Sequence, residues 1–192
     1  MSELHLETPR LRMHALSAAD EALFCELFTD RETMQFIGRS LPHDRAARSF
    51  RAALRANSAS PRRQVFLCVL ERTSNQPVGI CTVQNLDLLE RRAELGMMIR
   101  PLQRGRGFGK EALAALVGYA FRLFPIEEAF VQYDPRHLAA KRLVMSTGFS
   151  PKTLVGVGAN EQGSPKRICS AFRESWDHQA TWKQLGESAC RT

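Results

Sequence analysis

The stretch Ile99-Arg100-Pro101-Leu102-Gln103-Arg104-Gly105-Arg106-Gly107-Phe108-Gly109-Lys110-Glu111 constrains this chain more than any other. Three glycines alternate with other residues between a strand-like run from Leu95 to Ile99 and a helical one. The helical run places Leu113, Leu116, Val117, Ala120, Phe121 and Phe124 on one apolar face, at intervals of three, four, seven and eight. The stretch therefore reads as strand, glycine-rich turn, helix. Glycine tolerates positive φ and leaves the backbone open to a ligand. The N–H groups of such a turn and of the helix start make an anion site suited to phosphate. Arg104, Arg106 and Lys110 add positive charge. The blander reading is a turn that only joins strand to helix.

Two common phosphate motifs do not fit. No Gly-Lys-Ser/Thr ends the turn, so it is not a P-loop. Its order is Gly105-x-Gly107-x-Gly109, not the Gly-x-Gly-x-x-Gly of a dinucleotide site.

Composition sets outer bounds. At 192 residues the chain reads as one domain spanning 1–192, with a core over 6–175 and a short C-terminal extension. A hydrophobic share of 44% is ordinary for a globular protein, and no apolar run is long enough to span a membrane. The start Met1-Ser2-Glu3-Leu4-His5 does not read as a signal peptide. Cys25, Cys68, Cys81, Cys169 and Cys190 are scattered, with no Cys-x-x-Cys pair. That pattern implies reduced thiols in a cytoplasmic protein and no structural metal. Lys plus Arg outnumber Asp plus Glu by 27 to 20, a net charge of +7 that suits an anionic ligand.

In chain order, Leu11 to Ala15 alternates as a strand, and Ser17 with Asp20 or Glu21 resembles a helix cap before Ala22, Leu23, Leu27 and Phe28. A short element holds Met34, Phe36 and Ile37. A longer helix runs from Asp44 to about Asn57, with Phe50 and Leu54 facing the core. Arg45, Arg48, Arg51 and Arg55 form a stripe on it, and such a stripe is more often a solvated face than an interaction surface. Strands are expected over Gln64–Leu70, Val78–Gln84, Ala93–Ile99 and Glu128–Gln132. A helix lies within His137–Thr147 and stops at Gly148. Phe149–Val157 and Lys166–Phe172 read as a closing strand pair, and Trp176–Leu185 as a terminal helix. The order predicts an α+β fold. An antiparallel meander comes first, and a helical crossover then makes the strand near Val131 parallel to that near Met97.

These residues carry a family likeness. Arg104-x-x-Gly107-x-Gly109 fits the Gln/Arg-x-x-Gly-x-Gly/Ala signature of the GNAT acyltransferases, and the span Leu6–Phe149 resembles that superfamily, in particular its ribosomal-protein alanine N-acetyltransferase branch. Thr8-x-Arg10-Leu11-x-Met13 with Asp20 resembles the branch's opening. Asp30-x-Glu32-x-Met34-x-Phe36 resembles its first helical turn region. Ala93-Glu94-Leu95-Gly96-Met97-Met98-Ile99-x-Pro101, followed by Gly105-x-Gly107-x-Gly109-x-Glu111-Ala112, is the most specific part. His137-x-x-Ala140…Gly148-Phe149 resembles its closing motif, with His137 where Asn is usual and Ala140 where Ser is usual.

The resemblance implies a GNAT fold, a mixed central sheet whose parallel strand pair splays apart between flanking helices. It also implies acetyl-CoA as cosubstrate, held along Met97, Met98 and Ile99 like an added strand. The pyrophosphate would sit at Arg104, Gly105, Arg106, Gly107, Phe108, Gly109 and Lys110, with His137 beside it. Glu94 matches the position of the catalytic base in several GNAT enzymes; its blander reading is a strand-end carboxylate paired with Arg91 or Arg92. The Met98 N–H region is the oxyanion donor that the resemblance implies. Where many members carry a tyrosine acid, Val144 stands here, and no acid is assigned.

The function so implied is acetyl transfer to a primary amine by direct attack, with a protein N-terminal α-amino group as the leading acceptor. The alternatives are a small-molecule amine, or a non-catalytic module that binds CoA or uses the arginine stripe on RNA. Nucleic acid is disfavoured because exposed aromatics do not interleave the basic residues. No membrane partner is expected, and the assembly is a monomer or homodimer.

Overall fold

The computed structural model describes residues 4–152 and 166–176. The glycine loop sits where the sequence places it, between β5 (Arg92–Ile99) and α4 (Phe108–Leu123). Before it come β1 (His5–Glu7), β2 (Leu11–Ala15), α1 (Glu21–Thr29), α2 (Arg31–Met34), α3 (His43–Ser58), β3 (Val65–Glu71) and β4 (Pro77–Asp87). After it come β6 (Glu128–Tyr133), α5 (Leu138–Ser146), β7 (Ser150–Pro151) and β8 (Arg167–Phe172).

The eight strands form one sheet in the order β1-β2-β3-β4-β5-β6-β8-β7. Neighbours are antiparallel except β5 and β6, which the α4 crossover makes parallel. The α+β reading with a mixed sheet therefore holds. β1 is an addition: its three residues are too few for a periodic signal, and pairing with β2 over Leu6↔Met13 holds them extended. The expected strand past Pro151 and the expected helix past Trp176 fall outside the described residues.

Strand alternation divides the apolar side chains between two layers. One face carries Leu67, Val69, Ala93 and Leu95 against α4, whose Ala112, Leu116, Val117 and Ala120 are fully buried. The other face carries Cys68 and Ile80 against Phe24 and Leu27 of α1 and Phe50 of α3. Helices thus cover both faces of the sheet. At the end of α3 the buried Asn57 side chain exchanges two 2.8 Å hydrogen bonds with the Phe66 backbone, which ties helix to strand. The arginine stripe on α3 lies opposite this buried face, and Arg45, Arg48, Arg51 and Arg55 are all exposed. Asp20 accepts from the Ser17 N–H at 2.8 Å, so the expected cap before α1 forms.

Candidate active site

The parallel pairing of β5 with β6 lasts three rungs, Arg92↔Glu128, Ala93↔Ala129 and Glu94↔Phe130. β5 then stays bonded to β4 as far as Ile99, while β6 stays with β8 as far as Tyr133. From Leu95 to Ile99 the β6-facing edge of β5 has no strand partner among the described residues. This is the expected splay. A cleft of about 640 Å³ opens beside it, lined by Met97, Met98 and Ile99, by the glycine loop, by Thr33, Phe36 and Ile37, and by His137, Leu138 and Leu143.

The loop has the backbone of an anion cradle. Gly105 and Gly107 both take left-handed φ, +78° and +79°. Gly107 caps α4, and the first helical hydrogen bond runs from the Glu111 N–H to the Gly107 carbonyl at 3.3 Å. The Phe108, Gly109 and Lys110 N–H groups therefore have no partner within the helix. A Cβ at Gly107 would meet the Arg10 guanidinium at 3.2 Å, besides straining the backbone.

That guanidinium shows what the opening Thr-x-Arg motif does. Glu111, 1% exposed, accepts from the Thr8 hydroxyl at 2.5 Å, the Arg10 N–H at 2.8 Å and Arg10 Nε at 2.7 Å. Arg10 Nη1 also donates to the Arg106 carbonyl at 3.0 Å. Residues of the opening motif and of the loop motif thus clamp the loop from behind.

The three loop cations differ in placement. Arg104 lines the cleft but bonds Glu32 at 2.7 Å and Thr33 Oγ1 at 2.8 Å, which joins the loop to α2. Arg106 turns away from the cleft to Glu71 at 2.6 Å and lies over the Phe108 ring, itself buried in the core. Lys110 lines the cleft and has no ion-pair partner among the described residues. The motif alone could not separate these three, because side-chain direction depends on which carboxylates the fold brings near.

His137 occupies the N-cap of α5, and its Nδ1 accepts the Ala140 N–H at 3.3 Å. A neutral imidazole bonded this way carries its proton on Nε2. The ring lies against Phe36 in the cleft wall, with centroids 4.6 Å apart and planes tilted by 33°. Burial lowers its pKa and the nearby Arg104 lowers it further, so the neutral form is favoured. The cap explains why histidine can stand where asparagine is usual.

Glu94 sits on the last parallel rung, where the strands begin to part, and is 9% exposed. Asn85 Nδ2 donates to its Oε2 at 2.6 Å and Gln132 Nε2 to the same oxygen at 3.4 Å. Neither suggested arginine pairs with it: Arg91 bonds Glu127 at 2.5 Å, and Arg92 lies over the Phe130 ring at 5.5 Å. Four carboxylates are buried among the described residues. Glu111 has Arg10, Glu128 has Lys152 and Asp134 has Arg136. Glu94 has only neutral amides. Sequence reasoning did not single out Asn85 or Gln132, since each lies in a strand with no motif around it.

The family model for the acetyltransferase (GNAT) domain matches residues 10–150. The chain belongs to the GNAT acetyltransferase family. Within this family it is 22% identical over 151 residues to an uncharacterized N-acetyltransferase, p20, of Bacillus licheniformis, covering 78% of this chain and 84% of that protein. Two solved GNAT structures show how widely the fold is shared. A spermidine N-acetyltransferase from Vibrio cholerae, in complex with CoA and spermine, superposes with a TM-score of 0.73 at 15% identity, over 86% of this chain and 97% of that one. The ribosomal L7/L12 α-N-protein acetyltransferase RimL, in complex with coenzyme A, superposes with a TM-score of 0.74 at 10% identity, over 88% and 97%. At such identities the likeness speaks for the fold. No helix among the described residues is long and apolar enough to cross a membrane.

Proposed function

We propose that this GNAT protein transfers the acetyl group of acetyl-CoA to a primary amine, with a protein N-terminal α-amino group as acceptor and Glu94 as the base. The observation that carries this reading is the buried carboxylate without a cation. A buried carboxylate is costly unless it is paired. The three others have their cations in the fold. Glu94 lies on the rung where the sheet parts, and an ammonium substrate would complete its pairing there.

The residues present fit acetyl-CoA. The free β5 edge offers backbone groups to a pantetheine amide in the manner of an added strand. The left-handed glycines, the open N–H groups of α4 and Lys110 suit a pyrophosphate. The cosubstrate supplies an acetyl group activated as a thioester. Glu94 takes a proton from the arriving ammonium, because only the free amine has a lone pair for the carbonyl carbon. The new C–N bond forms as the C–S bond breaks; the nitrogen gives its second proton to solvent, and the sulfur leaves as a thiolate that takes a proton from solvent.

The charge balance of the cleft favours an acceptor with one positive charge over a polyamine. Glu32, the carboxylate that lines the cleft, is already held by Arg104 at 2.7 Å. A polycation needs several unpaired carboxylates at once. The test combines thermal shift with thiol release. Acetyl-CoA should raise the melting point, since a ligand that binds only the native state stabilises it. Thiol release should follow with peptides bearing a free N-terminal amine. Release with spermidine alone, or no shift at saturating acetyl-CoA, would overturn the reading.

A further inference from the structure

β4 runs in register with β5 as far as Gln84↔Glu94 and then slips before Asp87↔Arg92. Two residues, Asn85 and Leu86, therefore stand opposite the single Ala93. This is a β-bulge, a device that redirects side chains at the rims of functional sites. Asn85 takes a left-handed φ of +49°, a conformation that asparagine tolerates better than most residues.

The bulge decides which way the Asn85 carboxamide faces. In a regular strand successive side chains alternate, and cross-strand partners share a face. Gln84, opposite Glu94, shares its face, so a regular strand would send Asn85 to the other. The bulge instead brings Asn85 Nδ2 to 2.6 Å from Glu94 Oε2. Gln132, on the parting strand β6, reaches the same oxygen at 3.4 Å from the other side. Both donors converge on Oε2, and Oε1 has no donor among the described residues.

We propose that Asn85 is a positioning residue for this acetyl transfer: the bulge brings its carboxamide to Glu94 Oε2, fixes the carboxylate's rotamer and leaves Oε1 to take the substrate proton. The proposal rests on the reading of Glu94 as the base. A short, single-point grip of this kind matters because a base must lie within hydrogen-bond reach of the proton it takes. In this role Asn85 acts on the reaction through Glu94, by the hydrogen bond it donates.

Four proteins test it: the parent, Asn85→Gly, Glu94→Gln and the double variant. Glycine keeps the left-handed φ and removes only the amide. The readouts are kcat and the KM for acetyl-CoA with a short peptide bearing a free N-terminal alanine, together with crystal structures of the parent and Asn85→Gly. Asn85→Gly should lower kcat about tenfold and leave the KM for acetyl-CoA unchanged. It should cost nothing further once Glu94 is glutamine, because residues acting as one unit are non-additive. Its crystal structure should show the Glu94 carboxylate in a new rotamer. Unchanged kcat in Asn85→Gly, or losses that multiply in the double variant, would overturn the role of Asn85 while leaving Glu94 as base. An unmoved Glu94 rotamer in the variant crystal would overturn it whatever the acceptor. Full activity in Glu94→Gln would overturn the base and the positioning role together.

Discussion

Glu111 and Arg10 stand 101 positions apart in the chain and form a two-point bond, backbone N–H to Oε1 at 2.8 Å and Nε to Oε2 at 2.7 Å. The carboxylate is buried under the start of α4, just behind the glycine loop. The family's opening and loop motifs therefore meet as one structural unit. Removing one partner of such a buried pair leaves an uncompensated charge. The Arg10 side chain is itself about one-third exposed, and the Thr8 hydroxyl and residue 10 backbone N–H still serve the carboxylate, so Arg10→Ala should lower stability by about 1.5–3 kcal/mol. Chemical denaturation checks this, and an unchanged midpoint would show that the pair is not load-sharing with the fold.

Gly107→Glu should abolish acetyl-CoA binding. It forces a side chain into left-handed φ, crowds the Arg10 guanidinium and places an anion at the proposed pyrophosphate site. Calorimetry should detect no heat at concentrations that saturate the parent, while the circular dichroism spectrum stays folded. Wild-type affinity in this variant would remove the loop from the binding site.

Glu94→Gln should leave acetyl-CoA binding nearly intact and lower kcat about 10²-fold. Raising the pH should restore part of the loss, since more acceptor then arrives as free amine. A variant that keeps full turnover at every pH assigns the proton to a water chain or another side chain.

His137 predicts a pH dependence of stability. Burial and Arg104 lower its pKa in the folded state, so the unfolded chain takes up its proton first as pH falls. The unfolded state then binds more protons, and stability rises with pH. The contribution is present in full above the unfolded value of about 6.5 and declines as pH drops below that toward the lower folded value. His137→Asn keeps a capping side chain for α5 and has no such titration, so its melting temperature should fall less between pH 7 and pH 5, taken as about the span of the histidine titration. Equal falls in the two proteins would place the proton elsewhere.

Much of this was legible in the sequence, and the reasons are local. The alternation of Ala93 to Ile99, the glycines and the apolar face of α4 fix strand, turn and helix by short-range sterics and periodicity alone. The free β5 edge beside the loop was implied by the family likeness alone, because the parting of β6 from β5 is a tertiary feature. Strand existence was readable wherever a run was long, as in Val65–Glu71, and unreadable for the three residues of β1, which are extended only because β2 pairs with them.

The tertiary structure decided what each side chain does. Arg104, Arg106 and Lys110 read alike in the motif, yet Glu32 takes the first, Glu71 the second and nothing described the third. Glu94 read as a base or as an arginine partner, and the fold gives it Asn85 and Gln132 in place of an arginine. Charges interact through space, and the bulge that carries Asn85 onto the face of Glu94 is a slip between two strands. A pattern along one strand cannot record it. The chain by itself determined the local geometry of the site; the packing of distant segments determined which of its charges remain free to act.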